Sequence, residues 1–299
     1  MKKKILISGA NGPIMRSLIL LLRKKGFYII GVDASIFGNA ESFCDEFYKC
    51  PNGKDKNFLR FLNKFSNKVD AIYLYVDEEL ENVSKNIKNF PHLKKKLIIS
   101  PPKTIKICNN KNIFYNFFKY KKIKLPLINF SRKNIIKPNE GRGGKNIFTT
   151  NDKSIIKLFK KNSKYLVQEF ISGKEYSVDC VFDKKNILIF GLVRQRVVSQ
   201  NVSIVGKILR HKKIISRVRE ISLYLKFYGP INFQFIENKK GIWLIEINPR
   251  LSGSIIFSIM SGFNPIIMSY QIHKNQKIYL PKKIQYNKTY FRFWNSVSQ

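Results

Sequence analysis

Four short apolar runs occupy the first hundred residues and are separated by segments of helical length. They cover residues 3–8, 27–32, 71–75 and 97–100. Parallel strands need a long crossover connection, usually a helix, so this alternation predicts a parallel α/β sheet. Pro101-Pro102 then interrupts the pattern, and we predict a first domain over residues 1–102.

The pattern changes in the rest of the chain, residues 103–299. Helices are predicted over residues 111–120 and 211–226 and after Gly253. The segments that indicate strands, most of them joined by short turns, are 134–148, 165–170, 176–182, 186–198, 230–237 and 242–248. An antiparallel α+β domain is therefore expected, with a small lobe at about 103–165 and a large lobe at about 166–299.

Basic residues outnumber acidic ones by 56 to 19, which gives a formal net charge of +37. Such an excess is typical of proteins that bind nucleic acid or an anionic membrane surface. Here, however, the lysines are spread along the whole chain together with abundant Asn, Ile, Phe and Tyr, which share A/T-rich codons. Compositional drift is the preferred interpretation, with no specific nucleic-acid partner. A functional polyanion-binding surface is the alternative.

No apolar run reaches the roughly 18 residues that a membrane-spanning helix needs. The first apolar stretch breaks at Gly9, so it is predicted to be a strand and not a signal peptide. The scattered cysteines contain no C-x-x-C pair; they are Cys44, Cys50, Cys108 and Cys180. These features predict a cytoplasmic protein with reduced thiols and no membrane span.

A glycine-rich turn, residues 9–12, follows the first strand, and Asp33 ends the second. This approximates the dinucleotide-binding fingerprint, although Met15 stands where the third glycine belongs. Tyr115 and Lys119 also have the Y-x-x-x-K spacing of short-chain dehydrogenases. An NAD(P)-dependent dehydrogenase is therefore one alternative, but it leaves the three segments below without a purpose.

The first of these segments places a lysine at the end of a strand and a glycine-rich turn after it. Lys137 is followed by Gly141, Arg142, Gly143 and Gly144. Such a turn can direct backbone N–H groups at phosphate oxygens while the lysine meets their charge. An ordinary hairpin turn is the competing interpretation.

The second segment, residues 167–176, runs from an apolar strand through a short turn to an acid, Glu175, on the next strand. Adenine binds to backbone donors and acceptors between apolar walls, and a ribose binds to a carboxylate. The segment therefore fits a nucleotide, and it also fits a simple hairpin.

The third segment is a hairpin formed by residues 229–235 and 243–250. Strand alternation predicts Glu246 and Asn248 on one face, with Trp243, Ile245 and Ile247 on the other. A three-residue turn at 239–241 would pair Gln234 with Glu246, so that three oxygen donors converge as Mg²⁺ prefers. A buried polar network is the competing interpretation.

With these segments in order, the chain resembles the ATP-grasp superfamily, and its hairpin is closest to the carbamoyl-phosphate synthetase large chain. In that branch Gln, Glu and Asn form the metal set and the run ends Asn-Pro-Arg, as at residues 248–250 here. The resemblance implies a pre-ATP-grasp parallel α/β domain followed by a two-lobed ATP-grasp domain. It implies ATP and Mg²⁺ as cofactors, with Mn²⁺ as a substitute, and no dinucleotide in the first domain.

The resemblance also implies a role for each matching residue. Lys137 and Lys111 would contact ATP phosphates, and Arg250 would stabilise charge on the transferring phosphoryl group. The remaining positions are Gly141, Arg142, Gly143 and Gly144 for the phosphate loop, the backbone of Glu169, Phe170 and Ile171 for adenine, Glu175 for ribose, and Gln234, Glu246 and Asn248 for the metal. Two departures are a short stretch between Pro126 and Lys137 and the absence of a large C-terminal domain.

The expected function is a ligase that activates a small carboxylic acid as an acyl phosphate for attack by an amine or similar nucleophile. Arg194 and Arg196 share a strand face and are expected to grip the acid, unless they form a solvated basic edge. A homodimer is compatible with the resemblance. The alternatives are the dehydrogenase and a non-catalytic polyanion-binding protein that retains the fold.

Overall fold

The computed structural model describes residues 3–128, 133–141, 146–200 and 202–293, with the backbone alone at residues 199, 200 and 202. Within these ranges the strands form a four-stranded, a three-stranded and a six-stranded sheet. No helix in the described ranges is long and apolar enough to cross a membrane.

The four-stranded sheet is parallel throughout, in the order β3-β2-β1-β4, which confirms the predicted α/β class. Its elements are β1 (Lys3–Ser8), α1 (Met15–Lys24), β2 (Phe27–Asp33), β3 (Glu46–Lys49), α2 (Phe58–Asn63), β4 (Ala71–Tyr73), α3 (Asp77–Asn86) and α4 (Pro91–Lys94). Ile5 and Ile7 pack in one core with α1, while Leu6 packs in another with α2. Because both faces are covered, the strands are continuous apolar runs. The predicted strand at 97–100 is reduced to one bridge between Leu97 and Ile72.

Two short helices, α5 (Pro102–Asn109) and α6 (Lys111–Phe118), connect the first sheet to the rest of the molecule. Pro102 lies in the first turn of α5, where its missing N–H is not needed, so the proline pair begins a helix. Ile105 packs in the core of the first sheet, whereas Ile107 and Cys108 pack in the core of the six-stranded sheet. The predicted boundary at residue 102 therefore falls at the start of a helix that joins two cores.

The three-stranded sheet is antiparallel, in the order β6-β5-β7. Its elements are β5 (Asn134–Pro138), β6 (Phe148–Thr150), α7 (Lys153–Lys160) and β7 (Tyr165–Glu169). The single strand predicted over 134–148 is thus two strands, and α7 was not predicted although Asp152 caps it by accepting from two backbone amides. Because β7 pairs with β5, this sheet extends to Glu169, beyond the predicted end of the small lobe.

The six-stranded sheet is antiparallel, in the order β12-β11-β8-β9-β10-β13, as expected for the α+β domain. Its elements are β8 (Lys174–Phe182), β9 (Leu188–Gln200), β10 (Val202–Leu209), α8 (Lys212–Ser222), β11 (Gly229–Asn238), β12 (Gly241–Asn248), α9 (Ile255–Met260), α10 (Pro265–His273) and β13 (Thr289–Phe291). The last two helices fasten this sheet to the first one. Ile255 and Ile266 pack in a core with α1, and the Tyr73 hydroxyl donates to the Ile266 carbonyl at 2.9 Å.

Candidate active site

The two faces of the six-stranded sheet have opposite character. One face packs Val178, Val193 and Phe233 into the largest apolar core, against α8. The polar residues that alternate with these on β8, β9 and β11 are Glu175, Ser177, Asp179, Arg194, Arg196, Asn232 and Gln234. Polar groups removed from water need partners, so this face is either a hydrogen-bonded network or a site for a polar ligand.

The β11–β12 hairpin pairs Gln234 with Glu246, as the sequence predicts. The route to this register differs from the prediction, because Asn238 pairs with Gly241 and the turn has two residues. A bulge then skips Ile245 and restores the predicted pairing. The predicted alternation is wrong before the bulge: Ile242 and Leu244, not Trp243 and Ile245, pack with Ile247 on the apolar core.

The three predicted metal ligands meet at one carboxylate. Glu246 Oε1 accepts hydrogen bonds from Asn248 Nδ2 at 2.5 Å and from Gln234 Nε2 at 3.4 Å. A 180° rotation of the side-chain amide of Asn248 or Gln234 would place its oxygen where its nitrogen lies. Among the described residues, no group of three or more His, Cys, Asp or Glu side chains is placed to hold a metal ion. One carboxylate and two amides fit Mg²⁺ only if other oxygen atoms complete its shell.

Arg250 is partly buried next to this set and is held by Asp77, the first residue of α3. Arg250 Nε lies 2.5 Å from Asp77 Oδ1, and Nη2 lies 2.8 Å from Oδ2, which is a bidentate pair. Nη2 also lies 3.4 Å from Asn248 Oδ1. Burial opposes the charge, but the Asp77 carboxylate outweighs it and raises the pKa of Arg250. Asp77 was not predicted, since it lies 173 positions away in another domain.

Lys137 lies on β5 and is buried. Burial lowers the pKa of Lys137 to about 8; the Glu246 carboxylate opposes this shift and the Lys111 ammonium adds to it. The charges of Glu246 on the metal hairpin and of Lys111 at the start of α6 therefore both act on Lys137. An ammonium buried in this way gains from a phosphate partner.

The segment after β5 is fastened to the start of α6. The Lys111 amide donates to the Asn139 carbonyl at 3.0 Å, and the Asn112 amide donates to Asn139 Oδ1 at 2.7 Å. Lys111 Nζ lies 3.5 Å from the Gly141 carbonyl. A cavity of about 40 Å³ is lined by Asp77, Cys108, Asn109, Lys111, Gly141, Glu246 and Asn248. It brings together residues that the sequence assigns to phosphate and to metal. Arg142, Gly143 and Gly144 lie outside the described residues.

The predicted adenine segment lies where β7 ends. The Glu169 amide donates to the Leu127 carbonyl at 2.8 Å, and the Phe170 amide donates to the Lys133 carbonyl at 2.9 Å. Two of the three predicted backbone donors are therefore engaged within the protein. Glu175, predicted for ribose, lies 3.4 Å from the Arg196 guanidinium.

Of the two arginines predicted to hold the acid, Arg194 is buried and Arg196 is partly buried, so they do not form a solvated basic edge. Arg194 has no exposed surface and lies 3.6 Å from Asp179 Oδ2. Arg196 Nη1 lies 3.2 Å from Gln234 Oε1. Both belong to the same polar face as the metal hairpin.

The dehydrogenase residues do not meet. Asp33 uses both carboxylate oxygens on backbone amides, accepting from the Asn11 amide of the glycine-rich turn at 2.9 Å and from the Ser35 amide at 2.8 Å. Tyr115 and Lys119 line a separate cavity of about 380 Å³, to which the first domain contributes no residue.

Sequence comparison identifies a matching family and several relatives. A family described as ATP-grasp in the biosynthetic pathway with Ter operon matches residues 161–290. The carbamoyl phosphate synthase large chain of Clostridium beijerinckii is 25% identical over 238 residues, which are 73% of this chain and 21% of that protein. The tyramine–L-glutamate ligase of Methanocaldococcus jannaschii is 30% identical over 207 residues, 67% of this chain and 61% of the ligase.

Solved structures show the same fold. N5-carboxyaminoimidazole synthetase from Staphylococcus aureus, complexed with ADP, has a TM-score of 0.75 at 18% identity, over 97% of this chain and 82% of that one. The biotin carboxylase domain dimer of the Hydrogenobacter thermophilus 2-oxoglutarate carboxylase, with MgADP, ADP and bicarbonate, has a TM-score of 0.69 at 16% identity, over 97% and 73%.

The fold is that of ATP-grasp proteins, with the predicted α/β domain preceding two lobes, and the family match over residues 161–290 agrees with it. Within that class the chain is similar to the carbamoyl phosphate synthase large chain, as its Gln-Glu-Asn hairpin indicates. It spans only 15% to 21% of the length of the first such chains that it matches.

Proposed function

We propose that this chain is an ATP- and Mg²⁺-dependent ligase that activates a small carboxylic acid as an acyl phosphate for attack by an amine. One observation carries the proposal: Lys111 at the start of α6 and Gly141 of the glycine-rich turn share a cavity with Glu246 and Asn248 of the metal hairpin. Basic groups and oxygen donors that converge from separate lobes fit a metal-bound polyphosphate.

ATP would lie between the three-stranded and six-stranded sheets. Lys137 and Lys111 would pair with its phosphates, under the loop from Gly141 to Gly144. Since the amides of Glu169 and Phe170 already donate within the protein, adenine would contact Ile171 and the carbonyl groups of this segment. Glu175 would hold the ribose by exchanging its contact with Arg196 for sugar hydroxyls.

Gln234, Glu246 and Asn248 would hold the metal through one carboxylate and two amide oxygens. Bound Mg²⁺ would neutralise phosphate charge, and Mn²⁺ would accept the same oxygen ligands. Arg250, fixed by Asp77, would place a permanent positive charge beside the transferring phosphoryl group.

The reaction balances without a redox partner. An acid oxygen would attack the γ-phosphorus while the bond from that phosphorus to the bridging oxygen breaks, which gives an acyl phosphate and ADP. The amine nitrogen would then attack the carbonyl carbon, phosphate would leave with one acid oxygen, and the nitrogen would lose a proton. Lys137, Lys111 and Arg250 would contribute positioning and charge neutralisation.

Three further features of the proposal follow from the chain and its relatives. We propose residues 1–102 as the first domain, with the small lobe ending at Glu169, where its sheet ends. A homodimer is proposed because one structural neighbour is described as a domain dimer. A cytoplasmic location is supported by four cysteines that are all free and buried.

An ADP-release screen tests the proposal. Purified protein with MgATP would be incubated with pairs drawn from a panel of carboxylic acids and amines, including L-glutamate with tyramine. For any active pair, both oxygens of the acid would then be labelled with ¹⁸O. Transfer of one labelled oxygen to inorganic phosphate is expected, and phosphate without the label would contradict an acyl phosphate.

A further inference from the structure

Buried polar atoms without a hydrogen-bond partner are concentrated at one corner of the polar face. They are Nε and Nη2 of Arg194, Nη1 of Arg292 and Oγ of Ser252. In the described part of the chain, the other such atoms belong only to Glu78 and Asn134, which have further interactions. Leaving a buried donor unsatisfied is costly, so a cluster of them needs an explanation. We refer to Arg194, Arg292 and Ser252 as the arginine corner.

The two guanidinium groups of the corner lie around one aromatic ring. Their central carbons are 5.7 Å (Arg194) and 5.8 Å (Arg292) from the centre of Phe257. Arg292 Nη2 donates to the Gly253 carbonyl at 2.7 Å, which ties Arg292 to the segment that carries Ser252. Three separate parts of the chain therefore build the corner.

The corner carries more positive than negative charge. Asp179 is the carboxylate beside Arg194, and its oxygens already accept from Asn232 at 2.9 Å and Ser258 at 2.6 Å. Burial lowers the pKa of both Arg194 and Arg292, and neither loses its proton near neutral pH. An anion placed here would pair with the open donors and offset the excess charge.

The space beneath Arg194 depends on a glycine. A Cβ added to Gly206 on β10 would come within 2.9 Å of both Arg194 Cδ and Phe257 Cδ2. Tyr75 lies between the corner and the metal hairpin: the Arg250 guanidinium lies 5.7 Å from its ring, and its hydroxyl acts on the pKa of Arg292. The corner and Arg250 therefore share Tyr75 as a neighbour.

Strand register gives the separation between the arginine corner and the metal hairpin. Arg194 pairs with Ser177, Ser177 pairs with Gln234, and Gln234 in turn pairs with Glu246. Arg194 and Gln234 are therefore two strands apart, about 10 Å between backbones, before their side chains converge. This is a suitable span for a small molecule with an anionic group at each end.

We propose that the arginine corner holds a second anionic group of the acid substrate, whose reacting carboxylate lies beside Arg250 and the metal hairpin. The acid would therefore be dianionic, and monocarboxylic acids would be poor substrates. Guanidinium groups suit this task because their planar donors bind carboxylate or phosphate in bidentate fashion. The inference rests on the proposed ligase function for the place of the reacting carboxylate.

A binding experiment tests the inference without turnover. Calorimetric titration in the presence of Mg²⁺ and ADP would compare glutarate with glutaramate, which differ only in one carboxylate. We expect glutarate to bind at least about 10-fold more tightly, the scale of one charged hydrogen bond. A third ligand, 4-phosphonobutyrate, carries a phosphonate in place of one carboxylate of glutarate. Whichever of these two ligands binds more tightly identifies the anionic group that the corner prefers. Equal affinity for glutarate and glutaramate, including no binding of either, would overturn the inference.

Variants locate the effect. Arg292→Gln removes one charge from a half-buried side chain, and we expect it to abolish the preference for glutarate. Arg217→Gln, on the exposed face of α8, is the matched control and should retain the preference. A preference that survives Arg292→Gln would also overturn the inference. ADP release separates the two proposals. Release that does not discriminate between the acids would support the ligase function and contradict the anion site at the corner. Discrimination in binding without ADP release would support the anion site and contradict the ligase function.

Discussion

Two glycine-rich turns in this protein follow a strand, and only one of them opens toward a cleft. A Cβ added to Gly9 in the first turn would lie 3.2 Å from Val76 Cγ2, and one added to Gly38 would overlap with Asn11. At Gly141 in the second turn, an added Cβ would meet no atom of the described residues within 4 Å. In the first turn, neighbouring atoms of the protein occupy the space beside the glycines. In the second turn, Gly141 lines a cavity together with Lys111 and the metal hairpin.

A glycine pattern alone therefore does not define a nucleotide site. What matters is the element that lies opposite. The Asp33 oxygens accept from the amides of Asn11 in the glycine-rich turn and of Ser35, while Glu246 lies across a cavity from Lys111. A positive φ is common to both turns, +63° at Gly9 and +118° at Gly141, so backbone conformation does not separate them.

The largest expected effect comes from the metal hairpin. Glu246→Ala should lower ADP release with an active substrate pair by about 100- to 1,000-fold, the loss typical of one preorganised electrostatic group. The fold should persist, because Glu246 is only partly buried. Glu220→Ala on exposed α8 is the control. Near-normal turnover by Glu246→Ala would show that the hairpin does not hold a catalytic metal ion.

Lys137 gives a prediction about stability and pH. Below pH 8 this lysine is protonated in both the folded and unfolded states, so folding carries the cost of burying an ammonium. From pH 8 to 10.5 the folded state loses the proton first, and the stability of the wild type rises. In the absence of ATP, Lys137→Met should therefore be more stable at pH 7 by on the order of 3 kcal/mol, and the difference should shrink across that window.

Denaturant titrations at pH 7, 8, 9 and 10 measure this difference. Lys153→Met, at the exposed start of α7, should show no such trend. A difference that stays constant with pH would mean that Lys137 is not buried as an ammonium.

Matched glycine substitutions test the different roles of the turns at Gly9 and Gly141. Gly9→Ala should lower the free energy of unfolding by about 1–3 kcal/mol, because a left-handed residue gains a Cβ in a packed turn. Its ATP affinity should not change. Gly141→Ala carries the backbone strain without the packing clash, and it should weaken ATP binding with a smaller loss of stability. The reverse assignment of the two effects would contradict the roles given to the turns.

The smallest effects are expected for polyanions and dinucleotides. If the +37 charge reflects composition, duplex DNA and RNA should bind weakly, without sequence preference, and lose affinity steeply as salt rises. NAD(H) should show no saturable binding. Tight nucleic-acid binding above physiological salt would instead favour a polyanion-binding protein.

The pairing of Gln234 with Glu246 was predictable from the sequence, although for a reason that was partly wrong. A two-residue turn and a bulge at Ile245 add up to the same register as the predicted three-residue turn. Bulges leave little trace in a sequence, because any residue can occupy the skipped position. The alternation before the bulge was therefore misassigned.

Other features lacked a local signal or had one that was read differently. β10 was missed because Ser203, Gly206 and Lys207 break its apolar pattern, and Gly206 serves the packing of Arg194. The helix that begins at Pro102 was interpreted only as a boundary. Long-range pairs such as Asp77 with Arg250 cannot be deduced from one sequence, since only the fold brings them together.

ATP titration with and without Mg²⁺ tests whether the turn at Gly141 and the hairpin at Glu246 form one metal–nucleotide site. Wild-type protein should bind ATP saturably, and Mg²⁺ should tighten binding by at least about 10-fold, roughly 1.4 kcal/mol. Glu246→Ala should lose that dependence on Mg²⁺ and retain weak binding through the lysines. Equal ATP affinity of both proteins at every Mg²⁺ concentration would contradict the account.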